Sequence, residues 1–159
     1  METIIAIDPG PEKSAIVRYD GTIRSKNIIS NKDMLFLLNG NVMVLDGEVF
    51  NGDILAVEMM ACMGMAVGRS VLETCVWIGR FVEAWGGPWK YIYRMDVKMH
   101  LCNNSQAKDG NIRQALMDRY GSTRQAAIGT KKNKGPLYGF SKDMWSALAI
   151  AVTAHEGKS

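Results

Sequence analysis

The chain has 159 residues and a net charge of +3, a length typical of one domain. Its 47% hydrophobic content is enough for a proper core.

The three cysteines form no CxxC pair and no cluster with the two histidines, which argues against a structural zinc site or a disulfide framework. No segment has the pattern of a signal peptide or the length of a membrane span. We therefore expect a cytoplasmic protein with reduced thiols and no membrane partner. The mild positive charge permits a nucleic-acid partner without identifying one.

The first part of the chain predicts an antiparallel meander. The predicted strands are residues 4–7, 14–19 and 22–29. The first is an uninterrupted apolar run, which is typical of a central strand buried on both faces. The dipeptide Asp20-Gly21 between the other two favours a hairpin turn.

A short helix and a connection come next. Residues 33–38 are predicted to form a helix that Asn31 caps and Asn39-Gly40 ends. The glycine-containing breaks in residues 41–52 predict either a loop or a short hairpin.

The rest of the chain alternates strands with helices. The predicted strands are residues 53–58 and 89–98, and the predicted helices are residues 64–85, 109–121 and 141–156. Asp109 is the expected cap of the second of these helices, and a flexible basic loop is expected within residues 122–140. An antiparallel meander followed by strand–helix–strand units predicts an α/β fold, with a mixed sheet and helices on both of its faces.

Three acidic residues lie where a charge is costly. Asp8 and Glu58 each close an apolar strand, and Asp143 begins the apolar last helix. If the two strands are parallel neighbours, both carboxylates lie at the same edge of the sheet, where they repel unless a cation lies between them. Divalent magnesium or manganese would resolve this conflict, and three acids would suit a pair of ions that promote phosphodiester hydrolysis. Taken one at a time, however, Asp-Pro-Gly is often only a turn, and an acid at a helix start is often only a cap.

The stretches "IIAIDPGPEKSAIV", "ILAVEMM" and "DMWSALAIA" resemble the RuvC family of Holliday-junction resolvases, which belong to the ribonuclease H-like fold. The order and spacing of the stretches extend the resemblance over nearly the whole chain. It implies a single RuvC-like nuclease domain over residues 1–159, with a five-stranded mixed sheet whose first three strands are antiparallel. It also implies a homodimer that cuts four-way DNA by two-metal hydrolysis, with two Mg²⁺ ions per site that Mn²⁺ can replace. The cellular setting would be a bacterium or a phage-infected host.

The resemblance assigns roles to individual residues. Asp8, Glu58 and Asp143 match the acids that hold the metal ions in the family. The family has a second aspartate one turn into the last helix, and Ser146 replaces it here with a neutral oxygen. The spacing of Lys98 and Lys108 is close to that of two lysines that lie near the scissile phosphate in the family. The alternative is that both are solvated surface lysines without a role at the site.

Other residues are predicted to contact DNA. In the family, the loop after the fourth strand approaches the junction centre, so the stretch "MMACMGMAVGR" supplies Met60, Met63 and Arg69 as candidates. The alternative for the methionines is that they fill gaps in the core. A lysine group in the basic loop would suit backbone phosphates, and it consists of Lys131, Lys132 and Lys134.

The sequence is also compatible with two other functions. One is a branched-DNA-binding protein with weakened or lost catalysis, which the missing second aspartate would explain. The other is a related nuclease that acts on flaps, forks or RNA–DNA hybrids.

Overall fold

The structure is a computed structural model and describes residues 2–41, 43–45 and 47–157. The strands are β1 (Ile4–Asp8), β2 (Lys13–Tyr19), β3 (Ile23–Ser30), β4 (Val44–Leu45), β5 (Glu48–Val49), β6 (Ile54–Met59) and β7 (Trp89–Tyr93). The helices are α1 (Asn31–Leu38), α2 (Arg69–Trp85), α3 (Arg94–Cys102), α4 (Asp109–Tyr120), α5 (Arg124–Ala127) and α6 (Lys142–Glu156).

Five of the strands form one mixed sheet in the order β3-β2-β1-β6-β7. The β1–β2 and β2–β3 pairs are antiparallel, whereas β1–β6 and β6–β7 are parallel. The predicted ribonuclease H-like α/β fold with a five-stranded mixed sheet is confirmed. The short strands β4 and β5 pair with each other, so the hairpin alternative for residues 41–52 holds.

The sheet has a hydrophobic core on each face, because successive side chains of a strand point in opposite directions. Ile4 and Ala6 of β1 join a core formed with α3, α4 and α6. Ile5 and Ile7 join the opposite core, formed with α1 and α2. Since β1 is covered on both sides, its sequence is apolar at consecutive positions rather than alternating.

Helix α6 lies deepest in the first core. Its residues from Ala147 to Ala154 are all buried, and the helix packs against β1 and β2. The first turn reaches the surface, as does Glu156 in the last turn, and the buried middle of the helix fixes the position of the first turn. Within the described residues, the structure contains no helix that combines the length and apolar character needed to cross a bilayer.

Two helix caps differ from the predictions. The Ser30 side chain, rather than that of Asn31, caps α1 by accepting a hydrogen bond from the Asp33 N–H at 3.1 Å. Asn31 is the first residue of that helix, and its side chain is buried. Asp109 likewise is the first residue of α4, and Lys108 occupies the cap position.

Three segments also have different bounds from those predicted. The long helix α2 begins at Arg69 rather than at residue 64, because Gly64 has a left-handed backbone (φ +77°). The predicted strand 89–98 ends at Tyr93, whose N–H donates to the Asp96 carboxylate at 2.8 Å and so starts α3. The predicted flexible loop contains α5, and the buried side chain of Leu137 anchors its later part.

Candidate active site

Two carboxylates meet at one edge of the sheet. Strands β1 and β6 are parallel and in register, with Ile7 opposite Val57, so the next residues along are Asp8 and Glu58. Asp8 shares its face of β1 with Ile4 and Ala6, which places it on the α6 side of the sheet. Both acids are half-buried. The structure therefore brings together the two strand-end acids that the sequence singled out.

The electrostatics of Asp8 show how closely the acids interact. The pKa of its carboxyl group is raised to about 8, first by burial and then by the charge of Glu58 and a side-chain hydrogen bond with it. The charge of Asp143 raises the Asp8 pKa further, whereas the Arg94 guanidinium lowers it. At neutral pH without a bound cation, Asp8 therefore keeps its proton, because burial and the neighbouring acids both disfavour its charged form.

Asp143 reaches the same place from α6. It lies in the exposed first turn of that helix and lines, together with Asp8, a cavity of about 370 Å³ that we call the carboxylate cavity. Its other walls come from residues 9–13. As the side chains stand, no three His, Cys, Asp or Glu residues within the described part of the chain form a group that could hold a metal ion. Metal binding by these acids stays a prediction.

Arg94 is a site residue that sequence reasoning missed. It is the first residue of α3, directly after the edge strand β7, and its positive charge acts on Asp8. An ion pair with Asp109, the first residue of α4, holds the guanidinium. The signal that could have found it was the strand end: β7 is parallel to β6, so a residue that follows β7 comes to the same edge of the sheet as Glu58.

A buried polar network supports the loop after Asp8, and the sequence analysis missed it as well. The Ser14 hydroxyl donates to Asn31 Oδ1 at 2.6 Å and accepts from the Gly10 N–H at 3.2 Å. Asn31 Nδ2 donates in turn to the Gly10 carbonyl at 2.8 Å. A Cβ at Gly10 would collide with the carbonyl oxygen of Lys13. The network and the glycine together fix the wall of the carboxylate cavity.

Ser146 faces a different space from the one that Asp143 lines. It is half-buried and lines a neighbouring cavity of about 340 Å³ between α4 and α6, which we call the α4–α6 cavity. Arg94, Asp109 and Trp145 line the same cavity. The predicted role of Ser146 as a metal ligand stays a prediction.

The two lysines expected near the scissile phosphate lie on neighbouring elements. Lys98 is half-buried on α3, and Lys108 is exposed immediately before α4. The cation whose charge acts on Asp8 is Arg94 rather than either lysine. A role for Lys98 or Lys108 at the phosphate remains a prediction.

The residues predicted to contact DNA divide into buried and exposed positions. Met60 is half-buried against the core beneath α1 and α2, whereas Met63 is 77% exposed and has a left-handed backbone. Arg69 is exposed and pairs with Glu73 one turn later on α2. The burial of Met60 favours the core-filling alternative for that residue, and Met63 keeps the exposure that contact with a partner needs.

The basic loop also has a definite structure. Its three lysines are all exposed, and they are Lys131, Lys132 and Lys134. A β-bridge between Gly129 and Lys134 closes the loop, and the Lys134 ammonium lies 5.3 Å from the ring centroid of Tyr138. The charges are therefore presented by a closed turn.

No protein-family model matches this chain, and no curated protein sequence does either. Solved structures do match. The structure of Thermus thermophilus RuvC aligns with a TM-score of 0.64 and 16% identity, covering 95% of this chain and 92% of that one. T. thermophilus RuvC in complex with a Holliday junction substrate aligns with a TM-score of 0.65 and 17% identity, covering 99% and 97% of the two chains. Over nearly its whole length, this chain has the fold of RuvC, as its motifs predicted.

Proposed function

We propose that this chain is a structure-selective DNA endonuclease that cuts four-way junctions. The observation that carries the proposal is the meeting of Asp8, Glu58 and Asp143 at the carboxyl edge of a sheet with the RuvC fold. The junction-bound RuvC structure, similar over 99% of this chain, supports a branched-DNA substrate. By the family resemblance, the products would carry a 5′-phosphate and a 3′-hydroxyl.

The donor set at this edge fits magnesium. Asp8, Glu58 and Asp143 offer only carboxylate oxygens, which hard divalent ions prefer. The pKa of Asp8 is raised first by burial and then by the negative charge of Glu58 and Asp143, which a cation would neutralise. When bound, Mg²⁺ or Mn²⁺, two per site in our proposal, would activate the attacking water and polarise the scissile phosphate.

The other residues of the site orient and balance these groups. Arg94 contributes a fixed positive charge beside Asp8, and its pairing with Asp109 limits its motion. The Ser14–Asn31 network holds the loop after β1, so Asp8 keeps its direction toward the cavity. Lys98 or Lys108 would approach a bound phosphate from the side of α3 and α4.

DNA outside the site would meet three exposed features. Met63, which is exposed, would contact bases at the junction centre, and Met60 would support that loop from the core. Arg69 and the lysines of the closed turn would contact backbone phosphates, and those lysines are Lys131, Lys132 and Lys134.

A second copy of the chain would complete the enzyme, because a four-way junction needs two symmetric cuts. Helix α2 has an apolar stripe that its own core does not cover: Leu72 is 58% exposed and Val76 is 63% exposed. These residues lie four apart and therefore share one helix face, which suits a homodimer. Light scattering of the wild type and of Leu72→Lys should show a dimer and a monomer, respectively.

The test of function compares substrates and acids. An immobile four-way junction, a duplex and a flap are incubated with the protein in Mg²⁺ or Mn²⁺. We expect paired cuts in the junction, which Asp8→Asn and Asp143→Asn abolish. Asp33→Asn is the matched control, because Asp33 also lies in the first turn of an exposed helix end but on α1. Cutting that survives Asp8→Asn would contradict the assignment of the site.

One observation favours an alternative function. Ser146 replaces the family's second aspartate and lines the α4–α6 cavity rather than the carboxylate cavity. The loss of this aspartate would fit a branched-DNA-binding protein with weakened catalysis. Such a protein would bind junctions without cutting them, even in Mn²⁺. The flap in the same assay identifies a related nuclease with another preferred substrate.

A further inference from the structure

The α4–α6 cavity lies beside the carboxylates and differs from them in chemistry. Its volume of about 340 Å³ is in the range of small-ligand sites, which are typically apolar with a few polar groups that fix orientation. Ile112, Leu116 and Phe140 provide apolar walls. Three cations line it as well, and they are Arg94, Arg113 and Lys142; Asp109, the carboxylate among the lining residues, is paired with Arg94. An apolar space with cations suits a ligand that has a flat apolar part and a negative charge.

One of these cations lies over an aromatic ring. The Arg113 guanidinium lies 4.7 Å from the ring centroid of Trp145, and Trp145 is only 6% exposed. The buried indole therefore fixes the exposed guanidinium over its face. Bases that have left a helix stack on aromatic rings and on guanidinium planes, so Arg113 can act as the platform for one base.

The other two cations connect the cavity to the carboxylates. Arg94 lines the α4–α6 cavity and also acts through its charge on Asp8. Lys142 lines this cavity, whereas the next residue, Asp143, lines the carboxylate cavity. A strand whose phosphate lies at the carboxylates could therefore place the adjoining nucleotide here, with its phosphate near Arg94 or Lys142.

Two lining residues leave room for this ligand. A Cβ added at Gly110 on α4 meets nothing within 4 Å, so the glycine keeps that side open. Ser146 places a neutral hydroxyl where an aspartate would bring a negative charge into the cavity. Both features favour an anionic nucleotide.

We infer that the α4–α6 cavity holds one unpaired nucleotide of the DNA strand whose phosphodiester lies at Asp8, with its base stacked on Arg113. The inference rests on the proposed nuclease function and deepens it. The protein would recognise a nucleotide that has left its base pair, beside the bond that is cut.

The first test removes bases one at a time. In the Asp8→Asn background, junctions with a single abasic nucleotide at each position near the crossover are compared with the intact junction by titration. We expect one position at which the abasic junction binds about 5- to 30-fold more weakly, the equivalent of one stacked base. Adding Arg113→Ala should remove this dependence, whereas Arg124→Ala, an exposed arginine on α5 outside the cavity, should keep it.

The second test fills the cavity without threatening the fold. Gly110→Leu places a side chain in open space and replaces a poor helix former by a good one, so the variant should fold. It should lose the dependence on the base. Gln114→Leu on the same helix introduces the same side chain outside the cavity and should behave as the parent protein does.

The outcomes separate this inference from the proposed function. If the protein binds and cuts junctions but every abasic junction binds as tightly as the intact one, the cavity holds no base and only this inference falls. The same holds if Arg113→Ala and Gly110→Leu both keep the full abasic penalty. If the protein binds no branched DNA at all, the proposed function fails, and the inference fails with it.

Discussion

Two loops of this molecule follow neighbouring parallel strands, and each strand presents an acid at its end. The loop after β1, residues 9–12, is held by the buried network of Ser14 and Asn31. The loop after β6, residues 60–68, is exposed from residue 61 onward, and Met63 and Met65 are 77% and 75% exposed. One loop is fixed by its own chain, whereas the other keeps apolar surface in contact with water.

Under the proposed function, the two loops have different roles at this edge of the sheet: the first orients a carboxylate, and the second contacts DNA. A wall that must orient a carboxylate needs satisfied hydrogen bonds, because a displaced acid would lose its partners. A surface that must insert into another molecule needs exposed apolar side chains, which stabilise nothing until that molecule is present. Substitutions in each loop test this difference, and the largest effects on stability are expected in the first loop.

The pH dependence of stability should belong to the first loop. The pKa of Asp8 is 3.8 in an unfolded chain and about 8 in the folded protein, so between these values the folded state binds more protons than the unfolded state. The stabilisation is complete below pH 3.8 and is lost as the pH rises through about 8. In EDTA, the free energy of unfolding should fall by up to about 1.4 kcal/mol per pH unit across this window.

Urea unfolding over a pH series measures this slope. Asp8→Asn should remove the contribution of Asp8, since an amide mimics the protonated acid, while Met63→Gly should leave it unchanged. Added Mg²⁺ should raise the midpoint more at pH values near 8 than at pH values near 5, because only the ionised acid binds the cation. An Asp8→Asn protein with the slope of the wild type would contradict the prediction.

Breaking the buried network should cost nearly as much. Asn31→Ala removes the acceptor of the buried Ser14 hydroxyl and the donor to the half-buried Gly10 carbonyl, so each group loses a hydrogen bond. We expect a loss of about 2–4 kcal/mol in the free energy of unfolding. Asn41→Ala is the control, because Asn41 makes the same kind of bond to a carbonyl, that of Phe36, at an exposed position. Equal losses for the two variants would show that the network has no special importance.

A glycine-to-alanine substitution should destabilise the protein more in the first loop than in the second. Gly10→Ala brings a methyl group against the Lys13 carbonyl, and backbone must move, at a cost of about 2–3 kcal/mol. At Gly64 an added methyl group meets nothing within 4 Å, so Gly64→Ala should lower the free energy of unfolding by only about 1 kcal/mol, the cost of a left-handed backbone. Thermal unfolding compares the two, and a larger loss for Gly64→Ala would reverse the assignment of the rigid loop.

The smallest effect on stability is expected in the exposed loop. Met63→Gly removes a side chain that is in water and relieves a positive φ of 50°, so stability should stay the same or rise by up to about 1 kcal/mol. The affinity for a four-way junction should nevertheless fall several-fold in a titration. A variant that is destabilised but binds normally would show that Met63 serves the fold rather than the partner.

The parts of the fold that follow from local pattern were predictable. The apolar run of β1 indicated a central strand, and the alternation of side chains placed Asp8 and Glu58 on one face of the sheet. These features depend on residues close together in sequence, so one sequence is enough to predict them. The pairing of β1 with β6 joins residues far apart in sequence, and the five-stranded mixed sheet was implied by the family resemblance.

The missed features depend on residues that are distant in sequence. Asn31 was predicted as a helix cap, because nothing local shows that its side chain reaches Gly10. Arg94 was missed because the strand was predicted to continue to residue 98, whereas it ends at Tyr93, whose N–H donates to the Asp96 carboxylate. The α4–α6 cavity needs two helices to pack side by side, and no pattern within either helix indicates the space between them.

The first turn of α6 has a consequence for how this protein could change over generations. Asp143 and Ser146 lie three positions apart on α6, yet they line two different cavities. A substitution at one of them alters its own compartment while the buried body of the helix stays in place. Under the proposed function, the choice of DNA and the cleavage of its backbone could therefore change independently, although a single turn of helix carries a residue for each.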